Sequence, residues 1–286
     1  MNAIPEKINV LKVGDAEIEY SVSGGGEPLL LVHAGVFADW FAPLAASPSL
    51  AGFSVIRVRR AGYGPNRPAS PLTIRDHASH LKDLAEFLSI EKVHVVGHSS
   101  GALIALQLAT DHYDLVHSLV LIEPAACGPF QAPAFTEVAA NFVGPAMGAF
   151  AGGDLPTAFD SFMRGVCGEQ HREVIESSLG EVGYKQAIRE SRFFFKDEVP
   201  AAMQWQFGIA EAARVRQPVL VLEGEKGREY GLLSQQITEL VCSLLPQAEV
   251  TLIPDTNHML PLQDPNGLGD AITVFANRHP IQIGRA

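Results

Sequence analysis

Apolar residues along this chain fall into short unbroken runs separated by amphipathic stretches. Residues 29–32 (Leu-Leu-Leu-Val), 119–122 (Leu-Val-Leu-Ile) and 219–222 (Val-Leu-Val-Leu) are continuous hydrocarbon. Such runs predict strands buried on both faces, as in a parallel sheet covered by helices. Residues 53–58, 93–96 and 250–253 read the same way. Near the start, residues 8–13 and 16–22 flank Gly14-Asp15 and predict a β-hairpin. Between strands, residues 74–88 place Ile74, Ala78, Leu81, Leu84, Ala85 and Leu88 at helical spacing. Further helices are predicted over residues 102–109 and about 267–277. Strand and helix alternate, which predicts an α/β architecture with a mostly parallel sheet.

The pattern changes near Cys127. From there to about Arg214 strand signals vanish, and helical stretches broken by Gly and Pro replace them. Ten of the fifteen Phe lie in that segment. Strands resume afterwards, so the segment is expected to be an insertion between two strands of one sheet. Residues 1–126 and 214–286 are read as the core, and 127–213 as an inserted helical cap.

Charge and cysteine usage narrow the function classes. The net charge of -11 over 286 residues repels phosphate backbones and argues against nucleic acid as a partner. Three cysteines (Cys127, Cys167, Cys242) show no C-x-x-C or zinc spacing and read as free thiols in a reducing compartment. The first residues lack a signal-peptide apolar region, and no run of about 18 apolar residues occurs. A cytoplasmic protein without a membrane partner is expected, with a homodimer as the base-rate assembly.

Gly97-His98-Ser99-Ser100-Gly101 joins a predicted strand to a predicted helix, the context of a G-x-S-x-G nucleophile elbow. A tight turn there needs small neighbours and projects the Ser99 hydroxyl from the sheet edge. The following helix N-terminus offers positive dipole to a developing oxyanion. With Leu30-Leu31-Val32-His33-Ala34-Gly35, Ala61-Gly62-Tyr63-Gly64 and Asn257-His258, this motif resembles the α/β-hydrolase superfamily over nearly the whole chain. The resemblance implies that fold, Ser99 as nucleophile and His258 as its base. His98 is expected to pack or hydrogen-bond beside the site, and His33 to hold the oxyanion loop. His77, His80, His112, His117, His171 and His279 read as surface or helix residues.

The acid departs from the family pattern. A G-x-x-D motif usually follows the strand after the insertion, but here the segment reads Gly224-Glu225-Lys226-Gly227. Glu223 or Glu225 could serve from that loop. Asp255 lies too close in sequence to His258 to line up behind its ring. Glu123 directly follows four buried apolar strand residues, at the edge where ligand sites lie. Some relatives place the acid after this earlier strand. An unpaired carboxylate there would be costly, and a histidine partner removes much of the penalty. Glu123 is therefore the expected acid.

The resemblance further assigns the oxyanion donors to the N–H groups of Ser100 and Gly35, with Val36 as a one-residue alternative. Ala34 stands where the family usually has Gly. The expected substrate wall includes Val36, His98, Phe130, Phe135, Phe162, Trp205 and Met259. Arg59-Arg60 reads as a strand-end structural feature. No Walker A loop, dinucleotide fingerprint or H-E-x-x-H helix is present, so no metal or cofactor is expected. The sequence thus predicts a serine hydrolase of a hydrophobic ester or lactone. C–C bond hydrolysis, perhydrolysis, lyase chemistry and slow-turnover sensing remain alternatives on the same residues.

Overall fold

The computed structural model describes residues 7–65, 68–126, 133–228 and 233–282. Cys127 and Phe130 lie outside the described residues. Eight strands form one sheet in the order β1-β2-β4-β3-β5-β6-β7-β8. They are β1 (Asn9–Val13), β2 (Ala16–Gly24), β3 (Glu27–Val32), β4 (Phe53–Arg59), β5 (Val93–His98), β6 (Val116–Ile122), β7 (Val219–Gly224) and β8 (Ala248–Ile253). β1 and β2 form the expected hairpin, with Gly14 at φ 60 in its turn. β2 runs antiparallel to β4, and every later pairing is parallel. Registry aligns Val32 with Gly97, His98 with Ile122 and Ile122 with Leu222. The residues that follow these strands therefore emerge side by side at one edge.

The main helices are α1 (Ile74–Phe87), α2 (Ser100–Asp111), α3 (Leu155–Cys167), α4 (His171–Phe193), α5 (Leu233–Leu244) and α6 (Pro265–Arg278). α1 starts at a reciprocal cap in which Thr73 accepts from the Asp76 N–H and the Asp76 carboxylate accepts from the Thr73 N–H. α6 begins at Pro265, earlier than its apolar spacing suggests, because Asp264 caps it by accepting from the Gly267 N–H. α1, α2 and α5 bury Leu81, Leu84, Leu103, Leu106, Ile237 and Val241 on one face of the sheet. On the other face, Phe41, Leu44, Leu268, Ile272 and Phe275 pack against Leu29, Val96 and Leu220. Each such side chain contributes about 1.5–3 kcal/mol.

Between β6 and β7 the regular elements among the described residues are helices, as the sequence pattern predicts. α4 bends at Gly180, whose φ is 74, and leads into a π-helical turn, Phe194–Glu198. These helices form a third apolar cluster with Val36, Phe37, Trp40 and Met259 at the sheet's carboxyl edge. Among the described residues, no helix is long and apolar enough to cross a membrane.

Candidate active site

Ser99 sits between β5 and α2 with φ 54 and ψ -118, outside the regions side chains prefer. Its neighbours permit this geometry. A Cβ at Gly97 would lie 2.4 Å from the Gly101 carbonyl oxygen, and one at Gly101 2.2 Å from the Val32 carbonyl oxygen. The elbow closes against β3 only because both are glycine. The Ser99 N–H donates to the Ile122 carbonyl at 2.9 Å, which ties the turn to β6.

Glu123 follows β6 and His258 follows β8, and the structure brings them together. His258 Nδ1 lies 2.7 Å from Glu123 Oε2. An ionised carboxylate only accepts, so the ring proton resides on Nδ1 and leaves the Nε2 lone pair free. The other carboxylate oxygen accepts from the Gly224 N–H at 2.9 Å. Glu123 adopts φ 37, a left-handed conformation that turns it back toward the histidine loop. A Cβ on Gly227, the position of the family's usual acid, would lie 3.3 Å from Glu123 Oε1. Glu123 thus fills the space that an aspartate at 227 would need. The rival carboxylates point elsewhere. Glu223 accepts from the Ser234 and Thr238 hydroxyls of α5. Glu225 is exposed, and Asp255 pairs with Lys226 at 3.0 Å.

His33 Nδ1 donates to the Ala34 carbonyl at 2.6 Å, and its Nε2 accepts the Arg60 N–H at 3.1 Å. Burial, and then the neighbouring Arg60 charge, hold the His33 pKa well below the ordinary histidine value, so Nε2 keeps its lone pair. Arg60 Nη2 also donates to the Ala34 carbonyl, at 3.1 Å. The next carbonyl, that of Gly35, accepts from Trp40 Nε1 at 2.8 Å and from the Phe37 N–H at 2.9 Å. Both peptides around Gly35 are therefore fixed in orientation. Val36 is buried with φ 73, a strained conformation for a β-branched residue.

The expected substrate wall divides. Val36 and Met259 are buried in the cluster over the edge, with Phe162 packed against it. Phe162 meets Phe194 edge-on at 4.7 Å between ring centroids. Phe194 itself covers Gly35, whose Cβ would lie 2.6 Å from its ring. Trp205 and Phe135 pack with the cluster around α2. Trp205 stacks on Phe207 and donates to Gln107 of α2, because a buried indole N–H needs an acceptor. His98 packs and hydrogen-bonds beside the site, as its place in the elbow leads one to expect. It is fully buried, donates from Nε2 to the His258 carbonyl at 3.0 Å and meets Trp40 edge-on. Burial, with His258 beside it, holds its pKa well below the ordinary value. His77 and His171, read as surface or helix residues, lie on α1 and at the start of α4, and both are buried. Sequence reasoning missed Glu190 and Glu198, whose contacts with this loop have no local signal. Cys167 is buried near Glu123, and burial pushes its thiol pKa well up, so it remains a neutral packing group. Among the described residues, no group of three or more His, Cys, Asp or Glu side chains is placed to hold a metal ion.

An elbow serine after a central parallel strand, with an acid-oriented histidine at the same sheet edge, defines the architecture of a hydrolase fold. Residues 29–271 match the family model described as the alpha/beta hydrolase family, and the chain belongs to that family. It is similar to a soluble epoxide hydrolase from Corynebacterium sp. (strain C12), 32% identical over 108 residues, or 37% of each chain. It is similar also to a fluoroacetate dehalogenase from Burkholderia sp., 31% identical over 123 residues, or 40% of each chain. The chain therefore spans about two fifths of the length of these curated relatives. An enol-lactonase from Burkholderia xenovorans LB400 shares the fold, with TM-score 0.75 and 18% identity over 94% of this chain and 100% of that one.

Proposed function

We propose that this hydrolase cleaves a carboxylic ester or lactone of a hydrophobic small molecule through an acyl-enzyme on Ser99. The observation that carries the reading is the Glu123–His258 hydrogen bond, which leaves Nε2 free to accept a proton at the edge bearing Ser99. The Ser99 oxygen attacks the carbonyl carbon while its proton passes to His258 Nε2. The N–H groups of Ser100 and Gly35 hold the resulting oxyanion. Collapse breaks the carbonyl–alkoxy bond, and His258 returns the proton to the departing oxygen. Water then attacks the acyl-enzyme, losing its proton to His258, and the acid leaves as Ser99 is regenerated. The helical insertion acts as the cap, and its apolar cluster with Phe162, Phe194 and Met259 favours a hydrocarbon acyl group.

The chemistry named for the two curated relatives fits Ser99 poorly. Displacement at a saturated carbon by a serine oxygen would form an alkyl ether. Such an ether has no carbonyl for water to attack, so the enzyme would stop after one event. An acyl substrate avoids that dead end. The test is multiple-turnover hydrolysis of aryl esters and lactones by wild type and Ser99→Ala. Loss of turnover on the order of 10⁶-fold in the variant is expected. Turnover that survives in Ser99→Ala, or is absent in wild type, overturns the reading.

A further inference from the structure

Two carboxylates of the helical insertion end on consecutive arginines at the tip of β4. Glu190 of α4 pairs with Arg59 and accepts the Ala38 N–H at 2.8 Å. Glu198, in the π-helical turn, pairs with Arg60 at 2.9 Å, and each side chain is only 1% exposed. Glu198 also accepts from the Tyr63 and Ser100 hydroxyls. Among the described residues, the Arg60 guanidinium has no acceptors except Glu198 and the Ala34 carbonyl. So buried an ion pair adds little net stability over hydrocarbon of the same volume. Its contacts supply another reason for it. In a trans peptide the carbonyl and the following N–H point in opposite directions. Arg60 fixes the Ala34 carbonyl, and thereby aims the Gly35 N–H. A Cβ on Gly35 would lie 3.3 Å from Glu198 Oε1. One carboxylate from the insertion thus reaches both residues proposed as oxyanion donors: Ser100 through its side-chain hydroxyl, and the Ala34–Gly35 peptide through Arg60, which shares the Ala34 carbonyl with His33.

We infer that Glu198 is a positioning residue that couples seating of the helical insertion to alignment of the oxyanion hole. The hole is complete only when the insertion is docked. This rests on the serine-hydrolase reading above. Glu198 meets no reacting atom; it holds the donors, so its effect falls on the transition state and not on ground-state binding.

The test compares wild type, Glu198→Gln, Ser100→Ala and Tyr63→Phe on one aryl ester. It adds inhibition by an aryl boronic acid, which forms a tetrahedral adduct on a serine oxygen. Glu198→Gln and Ser100→Ala are expected to lower kcat by about 10- to 100-fold, with KM within about threefold of wild type. Boronate affinity should weaken by the same factor as kcat/KM. Tyr63→Phe leaves the ion pair and the Ser100 contact in place and should lose less than about threefold. Glu198→Gln strands the Arg60 charge and can prevent folding, whereas Ser100→Ala keeps the ion pair and carries the test alone. A loss confined to KM, or wild-type kcat in both variants, overturns the inference. Failure of the serine-hydrolase reading looks different: wild type is then inactive on every ester. Hydrogen exchange decides the coupling in that case. Faster exchange at residues 33–36 in Glu198→Gln or Ser100→Ala upholds it, and unchanged exchange overturns it.

Discussion

The interior of the sheet and the seam where the helical insertion meets its edge are built from different chemistry. Within the central strands, Leu29, Leu31, Leu121, Val221 and Leu222 are fully buried and purely aliphatic. At the strand ends and just beyond them the chain buries His33, Arg60, His98 and Glu123, and the insertion adds Glu198. Ser99, Glu123 and Val36 also take positive φ there. Hydrocarbon contacts are non-directional and serve where only burial matters. Hydrogen bonds and strained turns fix where an N–H or a ring nitrogen points, at a cost in desolvation and backbone energy. The contrast separates residues that make the fold stable from residues that aim its groups.

The sharpest break in that division is the acid. Glu123→Gln is expected to lower kcat by about 10⁴-fold while leaving the fold intact, because the amide favours the wrong imidazole tautomer. The space shared with Gly227 allows a stricter test. In a Glu123→Ala background, Gly227→Asp should restore at least about tenfold of the lost kcat, since the new carboxylate enters the space Glu123 vacates. Steady-state kinetics on a single ester reads both effects. A full kcat in Glu123→Gln would move the acid elsewhere and make Glu123 a stabilising residue only.

The buried histidines give the next effect. Burial, and for His33 and His77 also the Arg60 charge, lowers the pKa of His33, His77 and His98 well below the ordinary value near 6.5. In the unfolded chain they take up protons as pH falls through about 6.5, while in the folded chain they stay neutral. The unfolded state then binds more protons, so their stabilising contribution is present above about pH 6.5 and is lost below it. Each histidine contributes a slope of about 1.4 kcal/mol per pH unit, and three together about 4 kcal/mol. Glu190, whose carboxyl pKa burial raises, acts with the opposite sign and trims that slope at its acid end. Urea unfolding from pH 7.5 to 5 measures it. His77→Phe should reduce the slope by one proton, because its ring nitrogens lack partners among the described residues. An unchanged slope would mean that His77 takes up its proton in the folded chain as readily as in the unfolded one.

The division also explains what the sequence reveals. Strands and elbow are local: an apolar run, a glycine pair and a helix start announce themselves within a few residues. Glu123 was readable because a carboxylate after four buried aliphatics needs a partner, and Gly227 removed the usual one. His77 was readable too, since it falls among Ile74, Ala78 and Leu81 on the inner face of α1. The seam was not readable. Glu198 lies 138 residues from Arg60 and 98 from Ser100, and nothing near it in sequence distinguishes it from a surface glutamate. The partner of Trp205 was hidden for a related reason. An aromatic inside an aromatic-rich segment suggests a pocket, but the Gln107 acceptor that draws its indole away is 98 residues distant.

A matched pair of variants separates stability from aim most finely. Leu121→Ala removes a fully buried strand side chain and should cost about 2–5 kcal/mol of stability, with kcat per folded molecule unchanged. Val36→Gly should do the reverse. Glycine relieves the positive-φ strain, worth about 1–3 kcal/mol, and loses a buried side chain worth about 1.5–3 kcal/mol. The two oppose each other, leaving a net change within about 2 kcal/mol. Yet glycine widens the conformations open to the loop after Gly35. The N–H directions set by Trp40 and Arg60 then loosen, and kcat should fall by about tenfold. Denaturant unfolding and active-site-titrated kinetics on both proteins read the two quantities separately. If Leu121→Ala slows the folded enzyme, or Val36→Gly changes stability but not rate, then hydrocarbon interior and directional edge are not separate devices, and strain at Val36 serves packing alone.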